Sequence, residues 1–309
     1  MKILIYGIGG VGGFFGGKLA QTEHEITMIA RGAHLQAIQE NGLRVQSVTG
    51  NFTAIPQLAT DNLSEIETPD LVIFGVKSWQ LHAAATAILP YTNAQTLFLP
   101  LQNGANNTEK LCEVLPENQV LSGLCRMISF VERPGVISNP DITPTLLFGE
   151  SDNIKRTRTQ EILHIFQQAG IHANIPENIQ VAIWQKFLFI TTISAIGGLT
   201  RATIGEMRER PYIMDLLLKT AQEVQAVAKA KGIALPSETI DKTFAAIHKQ
   251  AYETTASTQR DIMEGKASEL DNFNGYIVQE GQKFDVPTPV NQLIYELLLP
   301  QERRARSME

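Results

Sequence analysis

The stretch Lys2-Ile3-Leu4-Ile5-Tyr6, followed at once by Gly7-Ile8-Gly9-Gly10-Val11-Gly12, constrains this chain more than any other. A short apolar strand runs into G-x-G-x-x-G and then into a segment of helical character through Leu19. Each glycine has a mechanical task. Gly7 permits the tight turn, Gly9 leaves the backbone bare where a pyrophosphate approaches, and Gly12 lets the helix lie close to the sheet. The helix start, with Gly10 and Val11, offers free N–H groups and the positive end of its dipole to phosphates. The pattern predicts a dinucleotide site, against the alternative of a glycine turn that only packs a βα unit.

The end of the second strand decides which dinucleotide. Residues 25–30 read as that strand, and it is followed by Arg31-Gly32 rather than by an Asp or Glu. A carboxylate there accepts from ribose hydroxyls and repels a 2′-phosphate, whereas a guanidinium clamps that phosphate with two parallel hydrogen bonds. The expectation is NADP(H) over NAD, and over FAD, which usually needs the same acidic residue. A solvated loop arginine is the plainer alternative. His34 has no assigned role.

With 309 residues, 43% hydrophobic and 19% charged, the chain is long enough for two domains with separate cores. A net charge of −6 argues against a nucleic-acid partner. A basic cluster near the end, Arg303-Arg304-Arg306, reads as a frayed tail. Cys112 and Cys125 have no C-x-x-C or metal spacing and fit ordinary thiols in a reducing cytoplasm. The apolar start is too short and glycine-rich for a signal peptide, and the scattered histidines suggest no metal site. Neither monomer nor homodimer is favoured.

Residues 1–175 alternate apolar strand-like runs with helical stretches, the pattern of a Rossmann-type doubly wound α/β sheet covered on both faces. Strands are expected at 70–76, 96–99, 120–131, 145–148 and 171–175, with a hairpin-like stretch at 43–58. Helices are expected at 34–41, 81–89 and 154–168. Residues 176–309 read as an all-helical domain. Its helices fall at 178–195 (stopped by Gly197-Gly198), 211–231, one or two within 237–263, 268–280, and 287–298. The site is expected between the domains, beyond the carboxyl ends of the strands.

Polar residues follow two of the strands: Lys77-Ser78-Trp79-Gln80 and Gln102-Asn103-Gly104. They are placed to touch ribose, nicotinamide or substrate, although Asn103-Gly104 also suits a tight turn unaided. Lys186 is the single charge between residues 178 and 200. Such an ammonium must snorkel, pair with an acid or sit in a polar cleft. Desolvation would bring it toward the range where it can donate a proton near neutrality. A membrane span is not expected, because glycine and polar residues follow and no second span exists. Ser268 resembles an N-cap with Asp271 three residues on, placing Glu269 in a first turn. Composition alone does not select Glu269 over Asp261, Glu264 or Asp271.

These elements together resemble the ketopantoate reductase (2-dehydropantoate 2-reductase) family over nearly the whole chain. The resemblance rests on the glycine motif, Arg31, Lys77 with Gln80, Leu101-Gln102-Asn103-Gly104, Trp184-Gln185-Lys186, and Glu269-Leu270-Asp271-Asn272-Phe273-Asn274-Gly275. It implies an N-terminal Rossmann domain, a helical C-terminal domain, and NADPH-dependent reduction of 2-dehydropantoate to (R)-pantoate for pantothenate synthesis. By the same resemblance Lys186 is the general acid, and Glu269 binds the substrate and the lysine. Asn103 lies at nicotinamide and substrate, and Ser257 holds the substrate carboxylate. Gly7, Gly9, Gly12, Arg31, Lys77 and Gln80 align with cofactor positions.

The chain departs from the family where Ile190, Ser194, Ile204 and Thr254 stand at positions usually held by asparagine. Loss of such amides leaves substrate groups unpaired, at about 1–3 kcal/mol each. Two other readings therefore stay open: a member acting on a different 2-oxo acid or ketone, and a non-catalytic NADP(H)-binding protein.

Overall fold

The N-terminal apolar run forms β1 (Lys2–Tyr6), buried on both faces at the centre of a parallel sheet. The strands after it are β2 (Glu25–Ile29), β3 (Leu43–Ser47), β4 (Phe52–Ala54), β5 (Leu58–Thr60), β6 (Leu71–Phe74) and β7 (Leu97–Pro100). They continue with β8 (Leu121–Arg126), β9 (Phe130–Arg133), β10 (Val136–Asn139), β11 (Thr145–Glu150) and β12 (His172–Asn174). Between them lie α1 (Gly10–Leu19), α2 (Gly32–Asn41), α3 (Leu81–Ile88), α4 (Asn107–Cys112) and α5 (Thr157–Gln168). The helical second half comprises α6 (Ile179–Thr200), α7 (Ile204–Arg208), α8 (Pro211–Ala230), α9 (Thr239–Lys249), α10 (Ser257–Met263), α11 (Tyr276–Lys283) and α12 (Pro289–Arg306). This computed structural model describes residues 1–307 and divides into two units, Met1–Ile179 and a second from Gln180 onward. The division falls a few residues beyond Pro176, at the start of α6.

The main sheet of the first unit has the order β5-β2-β1-β6-β7, all parallel. Ile3 and Ile5 face a core with Phe15 and Leu19, while Leu4 and Tyr6 face another with Val72, Phe74, Leu81 and Ile88. Apolar residues on both faces of one strand require a layer on each side, and this is the doubly wound arrangement the sequence pattern predicts. The later strands do not extend this sheet. The early pair β3 and β4 joins two of the later strands in a four-stranded sheet, β4-β3-β10-β9, and the rest form a three-stranded one, β12-β11-β8. An isolated parallel bridge from Phe98 to Val120 links β7 to the segment entering β8. The sequence reading overlooks β10, because Val136-Ile137-Ser138-Asn139 is short and its parallel partner β3 lies far away in the chain.

The second unit contains helices and no strand among its described residues, and its details correct the sequence reading in three places. First, α6 continues through Gly197-Gly198 instead of stopping there. A Cβ at Gly197 would lie 2.5 Å from the Gln259 amide, and one at Gly198 would lie 2.8 Å from Ile262, so these glycines let α10 pack closely. Second, residues 268–280 are not one helix: a π-helical turn at Asp271–Gly275 precedes α11. Third, α12 runs through Pro300 to Arg306, so the basic cluster is helical and not a frayed tail. Among the described residues α6 alone is long and apolar enough to cross a membrane. Of its apolar window 67% is buried within the protein, as in a core helix.

Glu150, at the end of β11, is an acid held by an ion pair. It is buried and accepts from Arg158 at 2.8 and 2.6 Å and from Thr159 Oγ1 at 2.6 Å. Burial pushes its carboxyl up, but the bonds from Arg158 and Thr159 outweigh this and hold it below its ordinary value. A carboxyl depressed in the folded state stabilises above the unfolded value, and that contribution is lost as pH falls through the folded value. Thermal melts from about pH 5 down to about pH 3 should therefore show a decline in melting temperature that is shallower in Glu150→Gln.

Candidate functional site

Strand order reverses at β1, with β2 on one side and β6 on the other, so the glycine turn and residues 75–80 share the crossover. Gly7 has φ +100°, a conformation closed to most side chains. A Cβ at Gly12 would lie 2.0 Å from the Gly7 carbonyl oxygen, and one at Gly75 would lie 2.5 Å from the same atom. Gly75 therefore belongs to this contact, which the spacing motif alone does not reveal. Gly10 is needed for a packing reason of its own, since a Cβ there would lie 2.2 Å from the Ser129 carbonyl. Ser129 Oγ also donates to the Gly10 carbonyl at 3.0 Å.

Gly9 is different. A Cβ there would meet nothing closer than the Gly75 oxygen at 3.7 Å, so the protein's own packing does not demand glycine. The start of α1 has no side-chain cap and no acidic residue in its first turn. The uncrowded backbone at Gly9, together with the N–H groups that a helix start leaves without intrahelical partners, fits a phosphate-bearing dinucleotide.

Arg31 is exposed at the end of β2, in extended backbone as the residue before α2. Among the described residues it has no carboxylate partner, and the first turn of α2 contains no acid. His34 acquires a role. Its Nδ1 accepts from the Gly135 N–H at 3.0 Å, tying α2 to the β9–β10 turn, and burial pushes its pKa down.

After β6, Lys77 is exposed with Nζ 5.5 Å from the Trp79 ring, and its N–H donates to Gln80 Oε1 at 3.3 Å. The Gln80 side chain thus helps shape the turn. After β7 the structure separates two neighbours. Buried Gln102 is a brace, with Nε2 donating to the Phe74 and Val76 carbonyls at 2.9 and 3.1 Å. Asn107 Nδ2 in turn donates to the Gln102 carbonyl at 2.9 Å. Asn103 is half-buried, followed by Gly104 at φ +120°.

In the second unit Lys186 is half-buried on α6, and Glu269 is buried just before the π-helical turn. The segments bearing them are locked together by aromatic rings. Phe187 meets Phe273 edge-on at 6.1 Å and Tyr276 at 6.0 Å, and Trp184 lies 6.2 Å from Tyr276. The expected Ser268–Asp271 capping box is not formed. Asp271 accepts from the Tyr295 hydroxyl at 2.9 Å instead, and Ser268 bonds to Glu302. Burial and the Asp271 bond push the Tyr295 hydroxyl up to about 12.

Ser257 is exposed in the first turn of α10, and α10 is held to the α6–α7 connection by Gln259 Nε2 donating to the Ala202 carbonyl at 2.8 Å. Of the four departing positions, Ile204 is 1% exposed within the apolar core and opens α7. Ser194 is buried, whereas Ile190 and Thr254 are half-buried. Among the described residues no group of three or more His, Cys, Asp or Glu side chains converges as a metal site would.

A parallel sheet with an uncapped glycine turn at its crossover, joined to a helical unit bearing a lysine and a buried glutamate, defines a dinucleotide-dependent enzyme. Comparison with known proteins makes this specific. Residues 3–153 match the family described as Ketopantoate reductase PanE/ApbA, and residues 178–302 match the description Ketopantoate reductase PanE/ApbA C terminal. The chain belongs to the ketopantoate reductase family. It is 29% identical to 2-dehydropantoate 2-reductase of Pyrococcus abyssi, with 98% of each chain covered. It is 25% identical to the uncharacterized oxidoreductase YkpB of Bacillus subtilis, covering 96% of this chain and 97% of that one. The structure is similar to a PanE/ApbA family ketopantoate reductase of Ralstonia eutropha, with TM-score 0.91, 28% identity, and 99% and 100% of the two chains covered. The protein is a nicotinamide-dependent oxidoreductase.

The difference between Gly9 and Gly12 can be measured directly. Gly9→Ala should unfold in urea within about 1 kcal/mol of the parent, yet bind a nicotinamide dinucleotide at least about tenfold more weakly by fluorescence titration. Gly12→Ala should instead lose about 2 kcal/mol or more of stability, because backbone must move to admit the methyl group.

Proposed function

We propose that this protein reduces 2-dehydropantoate to (R)-pantoate with NADPH, the reaction of pantothenate biosynthesis. The observation that carries the reading is that Lys186 and Glu269, far apart in sequence, stand on two segments clamped by one aromatic cluster. Arg31, exposed and without a carboxylate partner among the described residues, supports the phosphorylated cofactor.

Gly7, Gly9, Gly10, Val11 and Gly12 form the phosphate cradle, in which backbone N–H groups at the helix start donate to the pyrophosphate. The Arg31 guanidinium binds the 2′-phosphate in a two-bond fork, and Lys77 and Gln80 contact the dinucleotide after β6. When bound, the reduced nicotinamide supplies the hydride. Asn103 holds the substrate against the nicotinamide, and Ser257 donates to the substrate carboxylate. Lys186 donates a hydrogen bond to the substrate carbonyl oxygen, stabilises the charge developing there, and delivers its proton to that atom. Glu269 orients the ammonium and accepts from a substrate hydroxyl.

Half-buried Ile190, one helical turn beyond Lys186, favours a second reading in which the preferred 2-oxo acid is less polar than 2-dehydropantoate. A panel of 2-oxo acids assayed by NADPH absorbance separates the two. Highest kcat/KM for 2-dehydropantoate supports the first, highest kcat/KM for an aliphatic or aromatic oxo acid supports the second, and no turnover with any despite NADPH binding sinks both.

Lys186→Ala should lower kcat by about 10²- to 10⁴-fold while NADPH affinity is retained. Near-parental turnover removes the lysine from the mechanism. Arg31→Ala should raise KM for NADPH by more than about tenfold and leave KM for NADH nearly unchanged. Equal losses for both cofactors contradict the 2′-phosphate assignment.

A further inference from the structure

The last turns of α12 converge on a single residue, Ser268, which immediately precedes Glu269. Glu302 is 4% exposed, and its Oε1 and Oε2 accept from the Ser268 N–H at 3.0 and 3.1 Å. Oε2 also accepts from Ser268 Oγ at 2.6 Å. One helical turn on, Arg306 Nε donates to Glu302 Oε1 at 2.8 Å, and Arg306 Nη2 donates to the Ser268 carbonyl at 2.8 Å. Every polar group of Ser268 is thus held by this ion pair. The next N–H but one, that of Leu270, donates back to Ser268 Oγ at 3.3 Å, and the Glu269 carbonyl accepts from Phe273 N–H at 2.9 Å.

A helix that needed only to dock could do so with apolar contacts, which α12 already makes through Ile294, Leu298 and Ala305. Burying a carboxylate and much of a guanidinium is costly unless each is hydrogen-bonded, and here four of the bonds that offset the cost go to Ser268. Hydrogen bonds to both backbone groups of a residue fix the direction of the chain there, which apolar packing does not.

We propose that the Glu302–Arg306 pair is a positioning device for Glu269, holding the backbone that carries this carboxylate so that it meets the substrate in one orientation. Glu302, Arg306 and Ser268 are positioning residues and do not touch the substrate. The proposal rests on the reading of Glu269 as the substrate-binding acid.

The test uses the full-length enzyme, measuring kcat, KM for the oxo acid and KM for NADPH, with thermal melts alongside. The variants are Ser268→Ala, Glu302→Gln, Arg306→Lys and Arg306→Met, each alone and in the Glu269→Ala background. The expected result is a loss of about 10- to 100-fold in kcat/KM for the oxo acid, with KM for NADPH held within about twofold. Arg306→Lys should retain more activity than Arg306→Met. In the Glu269→Ala background none of these changes should cause a further loss, because the group they position is gone. If Glu302→Gln does not fold, Ser268→Ala, which removes one hydroxyl, carries the test. Losses that multiply with Glu269→Ala, or effects confined to melting temperature, overturn the positioning role. Parental kcat/KM in Glu269→Ala alone overturns the reading of Glu269, and the proposal falls with it.

Discussion

The first unit depends on one close approach: α1 lies so near the end of β1 that a Cβ on Gly12 would sit 2.0 Å from the Gly7 carbonyl oxygen, and Gly75 presses on both from the end of β6. Three backbones meet where no side chain can fit. This contact fixes where α1 starts relative to the strand ends, and hence where its unsatisfied N–H groups point. It also explains why the glycines are not equivalent. Gly7, Gly10, Gly12 and Gly75 are required by the protein's own packing, whereas a Cβ at Gly9 would meet only an ordinary contact, the Gly75 oxygen at 3.7 Å. Gly9 is the one glycine of this turn whose side-chain hydrogen the surrounding backbone does not crowd.

The second unit solves a different problem, that of holding polar side chains within a largely apolar bundle. Glycines at 197 and 198 bring α10 against α6, and aromatic rings bring the π-helical turn against the same helix. The interior polar groups around that turn are tied into a frame. Asn274 donates to Asn291, Asn291 donates to Glu223, and Ser268 donates to Glu302. A buried polar group without a partner costs about as much as a lost hydrogen bond or more, so such frames are specified in geometry and not only in composition. The π-helical turn, which departs from ordinary helical hydrogen bonding, sits directly after Glu269, where backbone irregularity most often serves a site.

Much of the architecture was legible in the chain. Continuous apolar runs bounded by turns marked the strands of the main sheet, and the change to helical periodicity after Pro176 marked the second unit. What was missed shares one cause. The strand β10 is short and pairs with a strand from a distant part of the chain, and Gly197-Gly198 looks like a stop until α10 is seen against it. Pro300 and the arginines after it look like an ending until Glu302 and Arg306 are seen bonded to Ser268. Likewise Ile204 reads as a replaced substrate contact by position, but its side chain is turned into the apolar core. Gln102 and Asn103 are adjacent and chemically alike, and only their surroundings make one a buried brace and the other half-buried.

The sequence by itself determined those features whose physics is local: a glycine turn that only a particular backbone conformation requires, an arginine where an acid would exclude a second phosphate, and one ammonium in an apolar helix. The tertiary structure alone decided which polar side chains are bound to one another. Hydrogen-bond partners such as Ser268 and Arg306 are fixed by how helices pack in space, and no spacing along the chain records that packing.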